Sequence, residues 1–258
     1  MKQYIVDAFT EEVFKGNQAA VCVMEEWPED ELMLNIAVEN NFSETAFTVK
    51  NGDCYELRWF TPGGEIDLCG HATLATSFVV FNFYEKDATE ICFSTRFSGK
   101  LYIKRQGDAF EMNFPRYEYE QAEVTAAMEE ALGAKVKEAV LSRDLLMLLE
   151  NEEAVINLKP DMEKLALLPG LCKAVTAQGT GFDSVSRVFV PDMGIPEDPV
   201  TGSTHCLIAP FWCAKLGKQE LDCFQASART GKMHLILDGD RVRIQGKAVL
   251  FAEAELRV

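Results

Sequence analysis

Basic residues are scarce in this 258-residue chain: 25 Lys and Arg stand against 41 Asp and Glu, a formal charge of −16. A general phosphate-neutralising surface is therefore missing, and nucleic acid is excluded as an expected partner. Long apolar runs are missing too. None approaches the roughly 18 residues that a membrane-crossing helix needs, so no membrane partner is expected. The opening MKQYIVDAF has no apolar secretory core, which predicts a cytoplasmic protein. Histidine occurs only at 71, 205 and 234, and none of the eight cysteines forms a CxxC pair. The spacing thus supplies no zinc set, and no metal is expected. The cysteines mostly lie in apolar stretches and read as buried, reduced thiols.

Hydrophobic residues make up 48% of the chain, enough for two cores of about 100–150 residues each. QYIVDAF and NQAAVCVM read as a hairpin whose turn ends at Gly16-Asn17. Pro28-Glu29-Asp30 starts a helix carried by Leu32, Met33, Ile36 and Ala37. TAFTVK and YELRWFT alternate as strands, TPGGEIDLCGH is a loop, and residues 72–83 read as a buried helix. Strands follow at EICFST, GKLYIKRQG and AFEMNFP. Around Pro115 the plan restarts with the helix VTAAMEEALG, closed by Gly133. Strands at LCKAVTAQG and DSVSRVFVP then lead through DMGIPEDPVTGSTH into the apolar helix CLIAPFWCAKLG. The pattern predicts two pseudo-symmetric domains, 1–114 and 115–246, with a last strand at 247–258 returning to the first.

Side by side, DLCGHATLATSFVVF and PVTGSTHCLIAPFWC look like one unit used twice: a loop, a glycine, a small or polar residue, then a hydrophobic helix. Two helices that start at glycines each aim free N–H groups and a positive dipole end outward. Facing each other across a cleft, they would trap an anion. Cys69 and His71 lie at the first start, and Asp198, Thr201, Ser203 and His205 at the second. Glu44 is flanked by Phe42 and Phe47, surroundings that favour a protonated carboxyl and suit proton transfer. Each feature alone has a plainer reading: a helix cap for Gly-His and Gly-Ser, a solvated carboxylate for Glu44, a packing thiol for Cys69. Their coincidence inside a repeated frame favours a site.

DAFTEEVFKGNQAAVC, FSETAF, RWFTPGGEIDLCGHATLA, EDPVTGSTH and the closing QASARTGK…GDRVRIQGKAVLFAEAEL together resemble the phenazine-biosynthesis-like (PhzF-like) isomerase family. The resemblance implies an α+β fold of the diaminopimelate epimerase type: two domains, each a curled, mainly antiparallel, barrel-like sheet around a central helix, with the active site in the cleft. It implies a cofactor-free enzyme in which Glu44 shuttles the proton and His71 and Asp198 assist. Asn17, Gly70, Ala72, Thr201, Gly202 and Ser203 fall at substrate-binding positions. The epimerase relatives use two cysteines, and Cys69 stands where the first would lie but Thr201 takes the second's place. An alcohol cannot replace a thiolate as a base near neutrality, so paired-cysteine epimerisation is disfavoured. The expected function is a cofactor-independent isomerase moving a proton on a small, anionic, carboxylate-bearing metabolite. Its alternatives are a racemase with Cys69 as one base, or a non-catalytic anion-binding protein. The resemblance also implies a homodimer. Tyr4, Trp59, Phe60 and Met193 are the expected specificity walls.

Overall fold

Alternating β-branched and aromatic residues give the first unit, Met1–Asn113 with Gln245–Val258, its strands. The computed structural model describes residues 1–193 and 195–258. In the first unit β1 (Lys2–Ala8) pairs antiparallel with β2 (Asn17–Met24), and α1 (Asp30–Asn40) crosses over to β3 (Glu44–Asn51), which lies parallel to β2. Strand β4 (Cys54–Thr61) runs antiparallel to β3 and carries β5 (Gly64–Ile66) on its end. Helix α2 (Gly70–Val79) follows and widens into a π-helical turn at Val80–Tyr84. The chain re-enters the sheet at β6 (Glu90–Thr95), parallel to β4, and continues through β7 (Gly99–Gln106) and β8 (Ala109–Pro115).

Helix α2 is buried almost all round, from His71 through Ser77, which requires a sheet curled about it. Its polar residues survive burial because their hydroxyls turn back on the helix. Thr73 donates to the Cys69 carbonyl, Thr76 to Ala72 and Ser77 to Thr73. Close packing against α2 also explains Gly246. A Cβ there would lie 2.5 Å from the Phe9 ring and 2.9 Å from Leu74.

Two of the eight cysteines depart from the reading that holds for most of them. Cys54 and Cys92 are joined by a disulfide that ties the parallel neighbours β4 and β6 together. The other six are free and buried, in keeping with their apolar surroundings.

The second unit, Phe114–Ile244, repeats the connectivity. After β9 (Glu120–Ala122) and α3 (Ala126–Leu132), β10 (Glu138–Leu141) pairs antiparallel with β11 (Leu145–Leu148). Two short helices, α4 (Glu152–Ile156) and α5 (Met162–Ala166), cross over to β12 (Lys173–Ala177), parallel to β11. Next come β13 (Ser184–Val190) and β14 (Ile195–Asp198), both joined antiparallel, then the buried helix α6 (His205–Leu216). The unit closes with β15 (Glu220–Gln225), parallel to β13, then β16 (Gly231–Asp238) and β17 (Arg241–Gly246), whose last two residues already belong to the first unit. Met128, Leu132, Leu145, Met147, Val175 and Phe189 contribute to its core. Within the wrap, Trp212 of α6 satisfies its indole N–H on the Thr176 hydroxyl, 2.9 Å away. A final strand, β18 (Ala248–Glu255), pairs with β1 in the first unit.

Candidate active site

In the first unit, α1 ends at Asn41 in the left-handed conformation, and the chain turns into β3 at Glu44, level with Ala19 on β2. Cys69 caps α2 in an extended conformation, which places His71 in the first helical turn. These two starts bring His71 Nε2 to 3.1 Å from Glu44 Oε2. Both atoms are buried, and neither has a hydrogen-bonding partner among the described residues. Two further groups face the other imidazole nitrogen. The Asn17 amide, at the start of β2, is 3.2 Å from His71 Nδ1, and the Cys69 sulfur is 3.5 Å from it.

Burial alone would lower the pKa of His71. The Cys69 sulfur and the Glu44 carboxylate outweigh it and hold the imidazole well above its ordinary value. Burial pushes the Cys69 thiol up, and the Glu44 charge pushes the same way against the pull of His71 and the Ala72 N–H. The ionised form of Cys69 is therefore disfavoured, and the protonated form of the neighbouring imidazole is favoured. The midpoint of the His71 imidazole, followed by NMR, should lie above 6.5 and should fall in Glu44→Gln. An unchanged midpoint in that variant would show that the carboxylate does not hold the proton on the ring.

The helical hydrogen bonds of α2 begin where Thr73 N–H donates to the Cys69 carbonyl. The N–H groups of Gly70 and His71 precede that bond and lie at the positive end of the helix. Ala72, expected to bind substrate, is buried in the same first turn of α2.

The second unit gathers the other expected residues. Asp198 ends β14 and accepts a hydrogen bond from the Thr201 hydroxyl at 2.6 Å. Gln225 of β15 pins this bend: its amide donates to the Asp198 carbonyl at 2.7 Å and accepts from Thr201 N–H at 2.9 Å. Gly202 does not open α6. The helix proper starts at His205, and Gly202 instead begins a tight turn closed by His205 N–H on the Gly202 carbonyl. Non-local side chains fix that turn. Arg143 donates to the Ser203 hydroxyl at 2.9 Å and pairs through two nitrogens with Asp144. Asp144 has no exposed surface and also accepts from the Thr204 hydroxyl and the Cys172 N–H. Sequence reading missed Arg143 and Asp144, because nothing in SRDLLMLLE marks them apart from a strand entry.

His205 contrasts with His71. Its Nδ1 lies 2.8 Å from the Thr201 carbonyl, and burial lowers its pKa to about 4, so it is a neutral structural group near pH 7. The sign follows from linkage. A folded-state pKa below the unfolded 6.5 gives stability that is full above 6.5 and lost as pH falls towards 4. Denaturation at pH 7 and pH 5 should show the wild type losing stability that His205→Leu does not lose.

The expected specificity walls fare less well. Tyr4, Trp59 and Phe60 are each 3% exposed or less, and Phe60 packs edge-on against Phe47 around α1. The side chain of Met193 lies outside the described residues. Counting histidines also missed a cluster. Donor atoms of Glu44, Cys69 and His71 all lie within 4.8 Å of one another, but the carboxylate and the sulfur lie at opposite ring nitrogens of His71, so the three do not fit a single ion.

The family model for phenazine biosynthesis-like proteins matches residues 6–254. An uncharacterized isomerase of Pseudomonas aeruginosa is 44% identical over 253 residues, covering 98% of this chain and 97% of that protein. The crystal structure of a PhzF-family phenazine biosynthesis protein from Enterococcus faecalis superposes with a TM-score of 0.98 at 47% identity, covering 100% of this chain and 99% of that one. A probable proline racemase from Agrobacterium radiobacter shares the fold alone, with a TM-score of 0.68 at 7% identity, covering 100% of this chain and 93% of its own. A match over nearly the whole length, in sequence and in structure, places the chain in the phenazine biosynthesis-like (PhzC–PhzF) family.

Proposed function

We propose that the chain is a cofactor-independent isomerase that moves a proton on a small carboxylate-bearing metabolite, with Glu44 as the acid/base. The observation that carries this reading is the Glu44–His71 pair: two buried polar atoms 3.1 Å apart, neither engaged in a hydrogen bond. A pair held this way is free to receive a third group. The carboxylate can take a proton from an acidic carbon, and the neighbouring imidazolium stabilises the negative charge left on the substrate. The N–H groups of Gly70 and His71, at the start of α2, suit a substrate carboxylate or the developing enolate. Asp198, Thr201 and Ser203 are assigned to orienting the substrate on the strength of the family resemblance.

A two-base racemase fits the groups less well. Cys69 is held as a thiol, and Thr201, in the second cysteine's place, gives its hydroxyl to Asp198. Small carboxylates that raise the thermal stability of the protein supply candidate ligands. Each is then incubated with the protein in deuterium oxide. Label at a carbon other than the one deprotonated supports the isomerase. Label confined to the starting carbon would identify a racemase, and a stabilising ligand that neither acquires label nor is converted would identify a binding protein.

A further inference from the structure

The bend ahead of α6 in the second unit carries hydrogen-bond donors that its own fold does not use. Arg143 holds Asp144 through Nε and Nη2, at 2.9 and 2.8 Å, so one edge of its fork is fixed by a wholly buried carboxylate. The guanidinium also lies over the Tyr117 ring, 5.1 Å from its centre, and donates from Nη1 to the Tyr117 hydroxyl at 3.1 Å. A further N–H, on Nη2, reaches the Ser203 hydroxyl at 2.9 Å. Each hydroxyl oxygen thus accepts from Arg143 and keeps its own hydrogen to give, and neither hydrogen finds an acceptor among the described residues. The second N–H on Arg143 Nη1 is left over in the same way. We propose that Arg143, Tyr117 and Ser203 form a carboxylate-binding subsite of the second unit.

Hydrogens carried on one guanidinium and on the two hydroxyls it touches call for a ligand that only accepts. A carboxylate brings two oxygens with several lone pairs and no hydrogen of its own. Asp144 cancels the charge of Arg143, so the ensemble suits a monoanion and not a phosphate, which approaches two negative charges. Asp144 does not compete for the free N–H, because the Thr204 hydroxyl and the Cys172 N–H share its oxygens with Arg143. The buried carboxylate and the Tyr117 ring also hold the fork in place, so a ligand has little left to order on binding. The position is open to solvent, since the Arg143 side chain is 36% exposed. That the bound carboxylate is the substrate's own rests on the function proposed above; its binding here does not.

The test titrates the full chain with acetate at constant ionic strength, with acetamide as the uncharged counterpart of the same shape. The Arg143 side-chain N–H and the Ser203 backbone amide, followed by NMR, should move with acetate and stay still with acetamide. Ser203→Ala and Tyr117→Phe each remove one hydroxyl and little else. Each should weaken acetate binding about tenfold or more, the scale of a hydrogen bond to a charged group. Arg143→Lys keeps a positive charge but not the fork, and should lose at least as much, read at the Ser203 amide. Acetate that binds all three variants as it binds the wild type overturns the subsite, and so does a wild type in which neither signal responds. Acetamide that moves the signals as acetate does, or inorganic phosphate that binds more tightly than acetate, overturns the choice of a carboxylate. Acetate that shifts the Gly70 and His71 amides alone overturns the subsite and leaves the isomerase reading intact. Acetate bound here, with no ligand ever taking up deuterium or being converted, leaves the subsite standing and overturns that reading instead.

Discussion

Glu44→Gln should lower kcat at least ~100-fold with little change in substrate affinity, the usual scale for removing a general acid/base. The amide keeps the size and the contact with His71 but can neither take nor return a proton. Binding should survive, because the N–H groups at the start of α2 are untouched by the substitution. Cys69→Ala is the comparison that gives this result its meaning. Burial and the Glu44 charge keep that sulfur protonated, so its loss should cost far less activity than the loss of the carboxylate. Steady-state kinetics on an identified substrate decide the matter. Equal losses in the two variants would move the base to Cys69, and full turnover by Glu44→Gln would remove the carboxylate from the chemistry.

Arg143→Ala should destabilise the protein by about 3 kcal/mol, measured by urea denaturation, which makes it the largest expected effect on stability. Asp144 is wholly buried, and it pairs with Arg143. Without the guanidinium, a buried carboxylate keeps the Thr204 hydroxyl and the Cys172 N–H among the described residues but loses its paired charge. We place the effect at the low end for a broken buried pair, because the Arg143 side chain is 36% exposed and water can enter behind it. Arg143→Lys keeps the charge but not the two-pronged geometry, and should fall between the variant and the wild type. A loss within about 0.5 kcal/mol, the range of ordinary surface substitutions, would show that the pair does not hold the Gly202–Thr204 turn.

Local signals made the first half of the site readable. A glycine before an uncharged apolar run marks the start of α2, and FSETAF marks the passage from helix to strand, so Glu44 and His71 could be singled out before their contact was known. Their partners could not. The Cys54–Cys92 bond depends on β4 lying parallel to β6, a pairing decided by sheet order and not by any residue near either cysteine. The place of the apolar helix is legible to within one residue, at Cys206 against His205, but the expected opening at Gly202 fails for a similar reason. In GSTH the backbone could begin its helix at Gly202, but Gln225, Asp144 and Arg143, from distant strands and loops, hold the turn that delays it to His205. Where the determinants are adjacent in sequence, the pattern suffices; where they arrive from other strands, only the fold supplies them.

The repeated connectivity bears on stereochemistry. Where β3 opens with Glu44 beside β2, its counterpart β12 begins at Lys173 beside β11, immediately after Cys172. Burial pushes the Cys172 thiol up to about 12, and the Lys173 amine is spent on Asp192, so this second strand start supplies no base near neutrality. With Glu44 as the proposed acid/base, the duplicated frame has its proton carrier in one copy only. A proton that leaves and returns through one carboxylate stays on one face of the substrate, so the transfer is suprafacial. The migrated deuterium should then appear in a single configuration rather than as a mixture of epimers.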